Sequence, residues 1–389
     1  MTPFNRPAEL TMPQRLTNAR LILRDRVVHG AVDLEAGLIA TMGACEAAVE
    51  PYDCDGDFLL PGLVELHTDN LEKHLLPRSG ALWPALPALL AHDAQLLAAG
   101  ITTALDAIAL GDLEGEGVRV STLDDTIAAL DRAAQRDLLR IDHYLHLRCE
   151  LCYPDLPQLL APLIAHPRAR LVSFMDHTPG QRQYRDLEQY RRYYARTGTI
   201  WDDLQFAQLV EERVEQQQRY RAKHLDEVVV QARDHGLVLA SHDDTECAHV
   251  AEARALGASI AEFPVTLETA QAARVAGMTI VAGAANLVRG GSHSGNVAAI
   301  DLARAHCLDV LSSDYVPTSL LHGAFLLQRE AGWDLPRAVA TVTRAPAQAL
   351  GFEDRGEIAP GLRADLVQVR LVDGLPVVRA VWRGGVRRL

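Results

Sequence analysis

The chain has 389 residues, with 38 lysines and arginines against 51 aspartates and glutamates, a formal net charge of −13; apolar residues make up 48% and charged residues 23%. These proportions suit a globular protein and exclude a disordered or collagen-like chain. The acidic balance argues against a general nucleic-acid binder, which needs a basic face; no run reaches the roughly 18 apolar residues that span a bilayer, and no secretory segment opens the chain.

Six cysteines (Cys45, Cys54, Cys149, Cys152, Cys247 and Cys307) are too few for a disulfide framework. They read as reduced thiols in a cytoplasmic protein.

From the N-terminus, Leu16–Cys54 carries short Val, Ile and Leu runs broken by Gly30, Gly37 and Gly43, the pattern of strands and tight turns. Gly356–Leu389 repeats it at the other end, with turns at Asp373-Gly374 and Gly384-Gly385. Neither stretch buries a core alone, so both ends are predicted to pair into one small β-sandwich, residues 1–57 with 354–389. Between them, residues 58–353 alternate strand and helix. Eight apolar runs read as strands buried on both faces: Phe58–Leu66, Ile101–Ile108, Tyr144–Cys149, Arg170–Asp176, Val238–Ser241, Ser259–Phe263, Thr279–Gly283 and Val310–Ser313. Helical patterns separate them and stop at Gly100, Gly236, Gly257 and Gly277. Eight such units predict a (β/α)8 TIM barrel. A doubly wound open sheet is the alternative, but no GxGxxG fingerprint supports it. The segment Gln181–Leu225 breaks the rhythm as a polar helical insertion. Five arginines against two acids lie within Arg182–Arg196, which leaves two readings, a solvated helical face or a lid whose arginines reach an anionic substrate.

Active-site groups in such a barrel gather at the C-terminal ends of the strands. There the sequence places His67 and Asp69 after strand one, Glu150 after strand three, His177 after strand four, His242-Asp243-Asp244 after strand five, Glu262 near the end of strand six and Asp314 after strand eight. Imidazole and carboxylate are the ligands that divalent zinc or manganese prefers. A single strand-end histidine is more often a hydrogen-bonded structural residue, but this concentration predicts one or two metal ions, zinc first and manganese as the alternative. Cys149 and Cys152 form a CxxC with no second pair, and core cysteines are the simpler reading. In Arg289–Gly295 the glycines allow close backbone approach, and Arg289, Ser292, His293 and Ser294 offer donors for phosphate oxygens; the plainer reading is a surface turn.

The stretches PGLVELHTDNLEKHLLPR (Pro61–Arg78), FMDHTPGQRQ (Phe174–Gln183), SHDD (Ser241–Asp244), VRGGSHSGN (Val288–Asn296) and LSSDYVP (Leu311–Pro317) closely resemble one branch of the amidohydrolase superfamily. That branch comprises the α-D-ribose 1-methylphosphonate 5-triphosphate diphosphatases of the carbon–phosphorus lyase pathway. PGLRADLV (Pro360–Val367) is similar to the C-terminal β-sandwich segment of the superfamily, so the resemblance covers nearly the whole chain. It implies a metal-dependent hydrolase that cuts a small sugar 5-triphosphate to the 5-phosphate and diphosphate. The superfamily's HxH appears here as His67-Thr68-Asp69, and Glu150 stands as the candidate for the metal bridge usually made by a carboxylated lysine. The implied ligands are His67, Asp69, Glu150, His177, His242 and Asp314, with Asp314 also the general base. Arg289, His293, Arg182, Arg185, Lys73 and His74 are the candidate phosphate donors, since a net charge of −13 requires local attraction of a triphosphate. Partners other than this small anion, nucleic acid and membrane included, are not expected, and a homo-oligomer is compatible with the sequence. Two rival readings are an amidohydrolase acting on a cyclic amide or amine, and a barrel kept as a scaffold in a larger assembly. Neither calls for both a full set of ligand-type residues and an arginine–serine loop.

Overall fold

A computed structural model of the chain describes residues 13–43, 50–112, 118–196, 200–292 and 295–389. Eight parallel strands follow one another in chain order: Leu63–Thr68, Ile101–Leu110, Asp142–Glu150, Ala169–Met175, Val238–His242, Ile260–Glu262, Thr279–Gly283 and Val310–Ser312. The eighth returns to the first at a parallel bridge between Thr68 and Asp314. There Asp314 N–H donates to the His67 carbonyl and Asp69 N–H to the Asp314 carbonyl, each at 3.1 Å. Glu65 ties the same seam, accepting from Ser312 Oγ at 2.6 Å and Ser313 N–H at 2.8 Å. The chain therefore folds as the TIM barrel its eight runs predict.

The two-residue period of a strand explains what lies inside. Leu105, Tyr144, Leu171, Ala240, Ile260, Val281 and Val310, one from each of seven strands, join Val64 and Leu66 of the first in a single apolar cluster. Two residues further along, the same sides carry His146, Ser173, His242, Glu262 and Ser312. The barrel is thus a packed plug with a polar layer on top. Leu147, Cys149, Val172, Leu239, Ile280 and Leu311 face the other way, in the larger cluster shared with the outer helices.

Both chain ends build one eight-stranded sheet. It takes Gln14–Ile22, Val27–Glu35, Leu38–Met42 and Tyr52–Asp53 from one end and Leu366–Val372, Leu375–Arg383 and Val386–Arg387 from the other. Its own core includes Leu16, Leu34, Ile39, Leu59, Leu366 and Trp382. The eighth member is Phe58–Pro61, expected as the start of the first barrel strand. It instead pairs antiparallel with Leu366–Val372 and parallel with Gln14–Ile22. The run is broken at Gly62, where a Cβ would lie 2.2 Å from Thr102 Oγ1 and 2.9 Å from Asp365 Cβ.

The insertion is helical, but it does not end at Leu225. Helix Leu187–Arg196 is followed by the 32-residue helix Asp203–Asp234, which absorbs the separate helix expected after 225. Its start is fixed by a reciprocal cap: Gln205 N–H donates to the Asp202 carboxylate at 2.8 Å, and Asp202 N–H donates to the Gln205 side chain at 3.0 Å. Among the described residues no helix is long and apolar enough to cross a membrane.

Candidate metal centre

The strand ends bring three imidazoles together, each held from behind by a carboxylate. Glu262 sits between two of them: His67 Nδ1 lies 2.8 Å from its Oε1 and His242 Nδ1 2.7 Å from its Oε2. Glu150 does the same for His177, with Nδ1 at 2.6 Å from its Oε2. In every case the carboxylate occupies the Nδ1 side and leaves Nε2 for another partner. Proteins use this arrangement to fix the tautomer and aim of a metal-binding histidine. The Nε2 atoms of His177 and His242 lie 3.9 and 3.5 Å from Asp243 Oδ2.

Asp243 Oδ2 and Asp69 Oδ1 are buried and have no hydrogen-bond partner among the described residues. Buried carboxylate oxygens are normally satisfied, because leaving one dry and unpaired is costly. Two such atoms at the barrel mouth, one of them beside two imidazole nitrogens, fit a divalent cation as the missing partner. His67, His146 and Glu262 form one group able to hold an ion, and His177, His242 and Asp243 another. His146 Nε2 is bound to Ser173 Oγ at 2.9 Å, while its buried Nδ1, 3.9 Å from Glu262 Oε1, has no hydrogen-bond partner among the described residues.

Backbone geometry aims these groups. Asp243 and Asp314 adopt φ of +53° and +56°, left-handed conformations that non-glycine residues rarely hold. Asp243 is fixed by its N–H donating to the Glu262 carbonyl at 3.0 Å, Asp314 by the seam already described. Burial dominates the electrostatics. It pushes His67 and His242 down to about 3 and Asp243 up to about 6. Burial, and then the charge of Asp69, raises Asp314 well above the carboxylate range. A dry site disfavours bare charges of either sign, and a bound cation reverses that preference for the acids.

Of the predicted ligands, His67, His177 and His242 converge, Asp314 lies beside Asp69 at the seam, and Glu150 stands behind His177 as its hydrogen-bond partner. Asp243, His146 and Glu262 were not predicted as ligands. Glu262 was visible at a strand end, and His146 lies four residues before Glu150 on the same side of its strand, a signal the two-residue period carries.

The expected phosphate donors divide. Arg182 corrects the lid reading, because it is 4% exposed and its Nη1 donates to the His242 carbonyl at 2.7 Å and to Asp244 Oδ1 at 2.8 Å. It is a strut beneath the end of the fifth strand, with that nitrogen committed to the fold. Lys73 donates to the Tyr315 carbonyl and lies 4.9 Å over that ring. His74 Nε2 is 2.9 Å from Gln95 Oε1, which pins helix Asn70–Leu75 to helix Ala85–Ala98. Arg185 and Arg289 are exposed and Ser292 is half-buried. His293 and Ser294 lie outside the described residues. The CxxC cysteines are buried, burial raises both thiols, and Cys152 donates to Asp176 at 3.4 Å.

Comparison with known proteins adds ancestry to this geometry. A model of the amidohydrolase family matches residues 174–386. The protein of Escherichia coli (strain K12) named alpha-D-ribose 1-methylphosphonate 5-triphosphate diphosphatase is 44% identical over 375 residues, 96% of this chain and 99% of that relative. Among solved structures, 5-methylcytosine deaminase from Klebsiella pneumoniae superposes with a TM-score of 0.65 at 17% identity, over 97% of both chains. N-isopropylammelide isopropylaminohydrolase from Burkholderia multivorans gives 0.64 at 19% identity, over 97% of this chain and 98% of its own. These two likenesses are of fold. Members of the superfamily use divalent metals, in keeping with the groups at the barrel mouth. With a family model matching more than half of its length and a relative similar almost end to end, the chain belongs to the amidohydrolase family.

Proposed function

We propose that this protein is a metal-dependent hydrolase that cleaves α-D-ribose 1-methylphosphonate 5-triphosphate to the 5-phosphate and diphosphate. The observation that carries the reading is the 44% identity, spread over 96% of the chain, to the relative of that name. The site supports it: His67, Asp69, His177, His242, Asp243 and Asp314 would hold one or two cations, with Glu262 and Glu150 orienting the imidazoles. Zinc suits this mixed imidazole–carboxylate set best and manganese next. When bound, the metal acidifies water and neutralises phosphoryl charge.

The protein's own contribution is positioning. Asp314, fixed at the seam beside Asp69, accepts the proton of the attacking water. The water oxygen bonds to phosphorus as the bridging P–O bond between the 5-phosphate and the diphosphate breaks, and the group on the far side of that bond leaves with the electron pair. Arg289, exposed after the seventh strand, is a candidate donor to the outer phosphates. Free thiols at the described cysteines agree with a cytoplasmic setting.

The test is phosphorus NMR of a ribose 5-triphosphate incubated with enzyme in oxygen-labelled water. Diphosphate release is expected, lost on chelation and restored by zinc or manganese. The label shows which phosphorus was attacked. Hydrolysis of cyclic amides or amines without diphosphate release would overturn the reading in favour of deaminase-like chemistry.

A further inference from the structure

One charged group at the barrel mouth is left unexplained by the ligand set. Arg148 lies on the third strand, two residues beyond His146 and two before Glu150, so all three project to the same side. It is 9% exposed, and its Nε is buried without a hydrogen-bond partner. Among the described residues it makes no ion pair. The other buried arginines are committed: Arg15 to Asp33, Arg168 to the His143 carbonyl, Arg182 to Asp244, Arg355 to Asp354 and Asp142, and Arg383 to Asp142. Leaving a buried guanidinium nitrogen unpaired is costly, so such a group calls for a reason.

Its surroundings supply one. On its own side of the strand Arg148 is flanked by His146, whose ring centroid lies 5.0 Å from that of His67, and by Glu150, which is bonded to His177. It therefore stands among the groups of the site, yet is bonded to none of those described. A guanidinium is a rigid fork that matches two oxygens of a phosphoryl group. The substrate of the reaction proposed above is a polyanion, and the protein as a whole repels it. Of the donors expected from the sequence, Arg182 already commits one nitrogen to the fold.

We propose that Arg148 is the inner phosphoryl anchor of the site, a guanidinium that grips the oxygens of the phosphate group lying at the metal cluster. The identity of that phosphate rests on the function proposed above; the binding of a phosphate anion does not. Arg148 thus sets specificity for phosphoryl substrates over uncharged amides, which have no use for a buried cation there.

The test compares the metal-loaded protein with Arg148→Gln and Arg148→Lys. Metal content and thermal melting are measured first, then kcat and KM for the ribose triphosphate, then calorimetric binding of inorganic diphosphate. In Arg148→Gln the expected result is normal metal content with kcat/KM lower by about 100-fold, the usual cost of removing one such donor. Diphosphate binding should weaken by about 10-fold or more. Arg148→Lys keeps the charge without the fork and should fall between the two. Added guanidinium should partly restore Arg148→Gln, which a merely structural role does not predict. Diphosphate binding within twofold of wild type in both variants overturns the proposal. So does loss of metal in proportion to activity, which makes Arg148 a balancing charge for the ligands. If wild type binds diphosphate through Arg148 but releases none from the ribose triphosphate, the anchor stands and the proposed substrate falls.

Discussion

Glu262 shows how much of this site depends on groups that need never touch a substrate. Its two oxygens take the Nδ1 sides of His67 and His242, so one carboxylate sets the aim of two imidazoles. Glu262→Gln keeps the shape but cannot accept from both rings with the same charge. It should weaken metal affinity by about 10- to 100-fold, the usual scale for such supporting partners, as read by competition with a chelating dye. Asp314→Asn should act differently. As the proposed proton acceptor it should lose about 100- to 10,000-fold in kcat while metal content stays near normal. Metal loss in that variant would recast Asp314 as chiefly a ligand.

Strands and the turns after them explain why these side chains meet. Eight strands carry their apolar residues inward at one level with a polar layer two residues further on, and the turns after the strands add Asp69, His177, Asp243 and Asp314. Helices are stopped on the outside by residues such as Gly257 and Gly277, at φ of +96° and +70°. Gly62 is the most constrained junction, because the chain passes there from the terminal sheet into the barrel against Thr102 and Asp365. Gly62→Ala should destabilise the protein by about 1–3 kcal/mol, the cost of overpacking a filled site. Urea unfolding checks this, and an unchanged midpoint would show that the two sheets can separate at no cost.

Across the whole molecule, a second buried polar group holds the barrel wall to its outer helix. His143 lies between Asp106, with Nδ1 at 2.8 Å, and Asp93, with Nε2 at 3.3 Å; His92 Nε2 meets the other oxygen of Asp106 at 2.8 Å. Burial pulls His143 down, but the charge and hydrogen bond of Asp106, with those of Asp93, win and raise it from 6.5 to about 9. A raised histidine stabilises the fold fully below its unfolded value and loses that contribution as pH rises through 9. His92, lowered by burial, acts oppositely and costs stability once pH falls below 6.5. Asp106 and Asp93 are both lowered, so their contribution fades only in acid. The urea midpoint of the metal-loaded protein should therefore decline between pH 6.5 and 9. The decline should be smaller in His143→Gln, and an equal slope in that variant would place the pH dependence elsewhere.

The sequence alone determined the barrel, because eight apolar runs separated by glycine-stopped helices have one economical closure. It also determined that His67, His177, His242 and Asp314 stand at strand ends, where a parallel barrel collects its chemistry, and its motifs led to the family. What tertiary structure decided was which atom faces which. Glu150 reads equally as ligand or support until His177 Nδ1 is seen against it, and Arg182 and Arg148 are the same residue type until one is found bonded to Asp244 and the other to none of the described residues. Periodicity fixes the side of a strand on which a residue lies. The partner it meets comes from strands up to some 250 positions away, as the bond between Ser312 and Glu65 shows, and only the closed barrel brings such pairs together.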